Sequence, residues 1–200
     1  ETPHYDLVPK DFVANLRFRR GLLEMAGEDP AAAAQLSTMC SEDLMFYVNA
    51  FCWTYDPRNA TQSVVPFITY KDFQDETMLS IARCVEDGGD YAISKSRDMG
   101  ASWICLTTFA YHWLFRSMES FLMVSRKEAL VDGAGDSLFS HIDFIIKGLP
   151  AWMRPQRKRN KLKLINEENG SKIEGESTTE NIGRGGRRTA LHNRSYSSSR

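Results

Sequence analysis

No two of the four cysteines (Cys40, Cys52, Cys84, Cys105) stand in a CxxC spacing. Zinc ribbons and thioredoxin-like redox sites need such pairs, and a small disulfide scaffold needs a denser set. The expectation is a reducing, cytosolic setting, with Cys84 and Cys105 packed as small apolar residues of amphipathic helices. There is no apolar run of the roughly 18 residues that span a bilayer, and no signal-like N-terminus. The first residue is Glu1 rather than Met, which reads as the start of a fragment. Nowhere does Gly-Lys-Ser/Thr, the end of the P-loop consensus, occur. No acidic residue follows Glu180.

What is present is enough for a core. The hydrophobic share is 42%, with four Trp and eleven Phe, which excludes disorder throughout. Two hundred residues suit one sizeable domain or one with a small appendage. Net charge is −1 but unevenly spread: residues 1–150 carry 13 Lys/Arg against 21 Asp/Glu, and residues 151–200 carry 12 against 5. A basic final quarter is consistent with nucleic-acid contact, though charge alone favours a solvated tail.

The pattern is helical from Lys10 to about Trp53, broken by Gly27-Glu28-Asp29-Pro30. A turn at 56–59 and a short extended piece at 64–68, kept to an edge by Pro66, come next. Asp72 reads as the cap of a helix ending at Gly88-Gly89. A strand at 91–95, a helix over 101–117, a buried strand at Phe121–Ser125 and a helix over 136–147 follow. Segments 161–165 and 171–176 around Asn169-Gly170 read as a hairpin. Strand and helix alternating over 70–150 imply an α/β core with a parallel sheet and helices on both faces. After Glu180 comes a Gly/Arg-rich loop, then Thr189-Ala190-Leu191, then a tail from His192 expected to be disordered.

The most informative stretch is YAISKSRDMGASWICLTTF, residues 91–109. An apolar run, a small polar loop and an apolar helix in that order bring backbone N–H groups and a helix N-terminus together on an anion. Gly100 and Ser102 fill the last glycine and hydroxyl positions of a P-loop, while Ala101 stands where the lysine belongs. Lys95 sits at the first-glycine position, and its long stem can reach back across the loop. Taken alone, this is also what a strand–helix turn with a capping serine looks like. Gln74, in YKDFQDETM, could donate to and accept from an adenine edge, with Tyr70 or Phe73 stacking, or could be an ordinary helix residue. Ser125-Arg126-Lys127 ends a strand where open α/β sheets place ligand loops.

From about Phe67 to Leu191 this order of parts resembles the ATPase domain of the large terminase subunit, the DNA-packaging motor of tailed bacteriophages. The likeness rests on the Gln-bearing helix, KSRDMGAS, the FLMVS strand, the hairpin, and the Arg-Gly loop before a last strand. It implies an α/β P-loop NTPase of the RecA-like (ASCE) type over 61–191, behind a helical lead-in over 1–60 and ahead of a tail at 192–200. It implies ATP and Mg²⁺ as cofactors. Gln74 would read adenine, Lys95 and Arg97 would neutralise phosphate charge, and the loop Ser96, Asp98, Met99, Gly100, Ala101 and Ser102 would cradle the phosphates. Ser102 would hold Mg²⁺. Arg184 would serve as a sensor or arginine finger, or contact DNA phosphate. The implied partners are double-stranded DNA, the portal protein, the small terminase subunit and further copies in a ring, at the procapsid portal in the host cytoplasm.

One departure affects the chemistry. The family follows its last core strand with an Asp-Glu pair for metal and water, and here His192-Asn193-Arg194-Ser195 takes its place, as after a frameshift or an artificial end. Without a metal-organising carboxylate and a general base, the expectation is ATP binding with little turnover. A rival reading is a non-catalytic nucleic-acid-binding or assembly module using Arg154, Arg157, Lys158 and Arg159 with Trp152 nearby. A helicase or kinase fits less well, since no lid and no helicase-type motif is visible.

Overall fold

A computed structural model describes residues 1–55, 64–94, 100–178 and 188–194. The chain divides into two compact units, Glu1–Leu79 with Ile145–Arg154, and Ser80–Phe144 with Pro155–Arg200. This partition is discontinuous and differs from the 1–60 and 61–191 division expected from sequence. Two of its three boundaries fall inside helices, where no composition shift marks them.

In the first unit, three aspartates start three helices. Asp11 caps α1 (Phe12–Glu28) by accepting from the Ala14 N–H at 2.9 Å. Asp29 caps α2 (Pro30–Glu42), whose first residue is a proline that needs no N–H there. Asp43 caps α3 (Leu44–Phe51) by accepting from Phe46 N–H at 2.9 Å. All eight residues of α3 are buried, so it forms the unit's centre. Arg19 reaches from α1 to the end of α3, donating to the carbonyls of Cys52 (2.8 Å) and Asn49 (2.7 Å). These are carbonyls that a helix end leaves without an internal partner. Strands β1 (Trp53–Tyr55) and β2 (Val64–Pro66) pair antiparallel, with Pro66 at the end of the ladder. A π-turn over Lys71–Asp75 leads into α4 (Glu76–Asp87). From the second piece of this unit, Trp152 sets its ring edge against Phe51, with centroids 5.8 Å apart.

The second unit is built on α5 (Ala101–Phe115), β3 (Ser120–Ser125), α6 (Glu128–Val131), α7 (Leu138–Gly148), β4 (Arg157–Asn160), β5 (Lys163–Asn166), β6 (Lys172–Ser177) and β7 (Ala190–Arg194). Its five-stranded sheet has the order β4-β5-β6-β3-β7 and is flanked by helices. Strand β3 is central and wholly buried. It pairs in parallel with β6 on one side and β7 on the other, whereas β4, β5 and β6 are antiparallel. The sheet is therefore mixed, not parallel as expected. Only five residues join β5 to β6, enough for a hairpin and too few for a parallel crossover.

Three further differences stand out. Residues 91–94, expected to be a strand, have no regular structure, and Tyr91 and Ile93 are exposed. An extended run becomes a strand only by pairing, and β3 already has a partner on each side. Strand β4 was not foreseen, because a run of Arg-Lys-Arg-Asn carries no apolar alternation. Strand β7 continues through His192 to Arg194 instead of stopping at Leu191, held by pairing along β3. Among the described residues no helix is long and apolar enough to cross a membrane.

Candidate functional site

The N-terminus of α5 is the centre of the expected phosphate site. Lys95, Ser96, Arg97, Asp98 and Met99, and likewise Arg184, lie outside the described residues. Gly100, Ala101 and Ser102 lie within them. Gly100 has φ 75° and ψ 10°, the left-handed region that favours glycine. Its carbonyl accepts the first helical bond, from Ile104 N–H at 3.0 Å. Among the described residues no side chain caps α5. The first N–H groups of a helix have no internal acceptor, and the aligned peptide dipoles add positive potential there. Residues 101–103 are half-buried and Ile104 to Trp113 are buried without a break, so the anion-attracting end is the part left accessible.

The sheet fixes where that end points. Four residues reverse the chain between α5 and β3, and Phe109 packs on Phe121 with centroids 4.7 Å apart. Helix α5 thus runs back along β3. From Phe109 to the helix start is about 12 Å at 1.5 Å per residue, and from Phe121 to Ser125 about 13 Å at 3.3 Å per residue. The α5 N-terminus therefore lies at the C-terminal end of the parallel strands, where ligands bind in open α/β sheets. Ser125 is fully buried there, and its hydroxyl has no hydrogen-bond partner among the described residues. Trp103 braces the first turn against α7, 4.5 Å from the His141 ring and 5.6 Å from that of Phe144.

The donors at this end suit a polyphosphate: the first amides of the helix, a glycine that lets a chain approach closely, and the Ser102 hydroxyl. For Mg²⁺ the same hydroxyl is the available ligand, and no group of three carboxylate, imidazole or thiol ligands accompanies it among the described residues.

Gln74 is buried within the π-turn of the first unit. Its Oε1 accepts from Tyr70 N–H at 3.0 Å, so Gln74 and not Asp72 closes the start of the turn. The amide nitrogen is not used in that bond. Tyr70 and Phe73 stack on each other, 5.8 Å between centroids and 12° between planes, with both rings exposed.

A polar cluster behind the same turn escaped the sequence reading. Lys10 Nζ donates to Asn49 Oδ1 (2.9 Å), to the Thr69 carbonyl (3.1 Å) and to the Tyr5 hydroxyl. The Tyr5 hydroxyl in turn donates to Asp75 Oδ2. Burial, then the Asp75 carboxylate, push the Tyr5 hydroxyl well above its ordinary pKa. Desolvation pulls Lys10 below the usual lysine range, with Asp75 opposing. These residues are spread over 70 positions, so spacing could not reveal them. The one available signal was Asn49, a lone amide inside the apolar run LMFYVNAF.

Of the four cations read as a nucleic-acid contact (Arg154, Arg157, Lys158 and Arg159), Arg159 is engaged within its own unit, and so are three basic residues further along. Arg159 binds Asp132 at 2.7 Å and Asp143 at 3.2 Å, and lies over the Phe139 ring. Lys161 pairs with Glu128, Lys163 with Glu174, and Arg188 with Glu174.

The chain matches no known protein-family model, and no curated protein shows significant similarity to it.

Proposed function

We propose that this chain is the nucleotide-binding part of a DNA-packaging motor of the large-terminase kind, taking ATP with Mg²⁺. The observation that carries this reading is the N-terminus of α5, which no described side chain caps and which a left-handed Gly100 opens at the C-terminal end of a parallel strand set. Backbone amides there would hold the triphosphate, and Ser102 would ligate the metal. Lys95 and Arg97 would supply the cations that the missing Gly-Lys-Ser/Thr does not. When bound, the metal neutralises charge between the terminal phosphates.

Turnover is expected to be poor. Strand β7 carries His192, Asn193 and Arg194, so no carboxylate stands there to hold a metal or activate water. In a complete motor the reading brings in double-stranded DNA, a portal protein, a small terminase subunit and a ring of copies at the procapsid in the host cytoplasm. The ion pairs of Arg159 with Asp132 and Asp143 remove one cation from the rival reading, because a cation held by its own carboxylate has less to offer a phosphate, while Arg154, Arg157 and Lys158 stay with that reading.

Titration with a fluorescent ATP analogue tests the proposal. Lys95→Ala and Ser102→Ala should each weaken binding about tenfold, the worth of one charged hydrogen bond, and the Ser102→Ala loss should need Mg²⁺. Affinity untouched by both substitutions would end this reading. A fast steady-state hydrolysis rate abolished by Lys95→Ala would overturn the expectation of poor turnover.

A further inference from the structure

Side chains two apart on a strand share a face. Phe121, Met123 and Ser125 of β3 therefore all point to the side that Phe109 of α5 covers. The neighbouring strand agrees: Gly175, in register with Met123, lies against Val131 of α6 and Phe139 of α7. The same α7 meets Trp103, in the first turn of α5, through His141 and Phe144. Two sets of contacts thus bring the start of α5 over the C-terminal end of β3, with the Ser125 side chain facing it. All of these residues belong to the second unit.

Ser125 is 0% exposed, and among the described residues its hydroxyl has no hydrogen-bond partner. Its backbone carbonyl is served, accepting from Thr178 N–H at 2.9 Å, so the side chain alone is left over. A dry hydroxyl without a partner costs free energy, and native proteins leave few such groups unserved. A second hydroxyl stands beside it, because Ser177 of β6 is its partner in parallel register, about 4.8 Å away. The acidic side chains of β6, Glu174 and Glu176, alternate onto the opposite face. This end of β3 and β6 therefore offers hydroxyls and no carboxylate to the first amides of α5.

We propose that Ser125 is a binding residue of the anion site at α5, donating its hydroxyl to a phosphate oxygen held from the other side by the helix amides. A phosphate is tetrahedral and carries several acceptor oxygens, so strand and helix can donate to it at once. Burial strengthens such a bond, since no bulk water competes for the hydroxyl. Ser125 would then belong to the ligand's contacts and not to the sheet's own packing.

This inference rests on the ATP reading, and the experiment separates the two. Affinities of the 200-residue chain and of Ser125→Ala for ATP and inorganic tripolyphosphate are measured with Mg²⁺, alongside the melting temperature of each free chain. Ser125→Ala should lose about tenfold in affinity for both ligands, the worth of one hydrogen bond to a charged group. The losses should match, because the contact is to phosphate and not to the base. The free variant should melt no lower than the unmodified chain, since it lacks an unserved hydroxyl. If affinity for both ligands holds, the role of Ser125 is wrong while the ATP reading stands. If the free variant melts lower or does not fold, the hydroxyl is served inside the protein, by a residue or a trapped water, and the role is again wrong. A loss for ATP alone would put Ser125 against the nucleoside and overturn the phosphate contact. If the unmodified chain binds neither ligand, both proposals fall.

Discussion

Arg159 Nη2 donates to Asp132 Oδ1 at 2.7 Å, tying β4 to the residue that ends α6. Asp132 also accepts from Leu162 N–H, at the turn that carries β4 into β5. Burial alone would raise the Asp132 carboxyl. The Arg159 guanidinium and the Leu162 amide overcome that and hold it below the usual carboxylate range. A folded value below the unfolded value of about 4 means stability that is present above that pH and lost as pH falls through the folded value. Arg159→Met should destabilise the chain by about 1–2 kcal/mol at pH 7, after discounting for partial solvent exposure. The difference from the unmodified chain should shrink at pH 3. Urea melts at the two pH values check this, and an equal difference at both would refute it.

Gly175 in β6 has no room for a side chain. A Cβ there would stand 2.5 Å from Val131 Cγ1, 2.8 Å from Phe139 Cε2 and 3.1 Å from Leu162 Cδ2. Three elements would have to move, two of them carrying buried residues. Gly175→Ala should therefore cost about 1–3 kcal/mol in a denaturant melt, as overpacking does. A change under about 0.5 kcal/mol would show that the helices over this strand yield easily.

The four thiols should separate by reactivity. Cys40, Cys52 and Cys105 are buried, and Cys84 is half-exposed. Burial pushes Cys52 and Cys105 up to about 12 and raises Cys40 well above its ordinary value. Only the thiolate attacks a disulfide reagent, so access and charge state act in the same direction. At pH 8 a disulfide reagent should label one thiol per native chain quickly and all four after denaturation. Rapid labelling of two or more native thiols would contradict the packing described.

How much of this was legible beforehand depended on whether a signal was local. The turn at Asn169-Gly170, with Gly170 at φ 75°, and the buried run Phe121–Ser125 are written in adjacent residues, and both were read correctly. The start of α5 at Ala101 was equally clear, because Gly100 precedes an unbroken apolar helix. Features decided by distant partners were not legible. Strand β4 exists because β5 lies beside it, and its charged side chains look like a solvated run. Residues 91–94 have a strand's composition and lack a strand's neighbour. The polar cluster behind the π-turn joins Tyr5 to Asp75, and no window of sequence holds both. The mixed sheet follows from a short connection whose direction sequence shows, but whose place next to β3 it does not.

The interleaved division of the chain has a practical consequence for anyone dissecting it. A version ending at residue 79 would strip Phe51 of the Trp152 edge and leave Trp53 without the backbone of Gly148, whose Cβ position falls 3.3 Å from its ring. A version beginning at residue 80 would carry Ile145–Arg154 with its own unit gone. Neither half can be cloned by a single cut, so separate expression calls for a permuted or internally deleted gene.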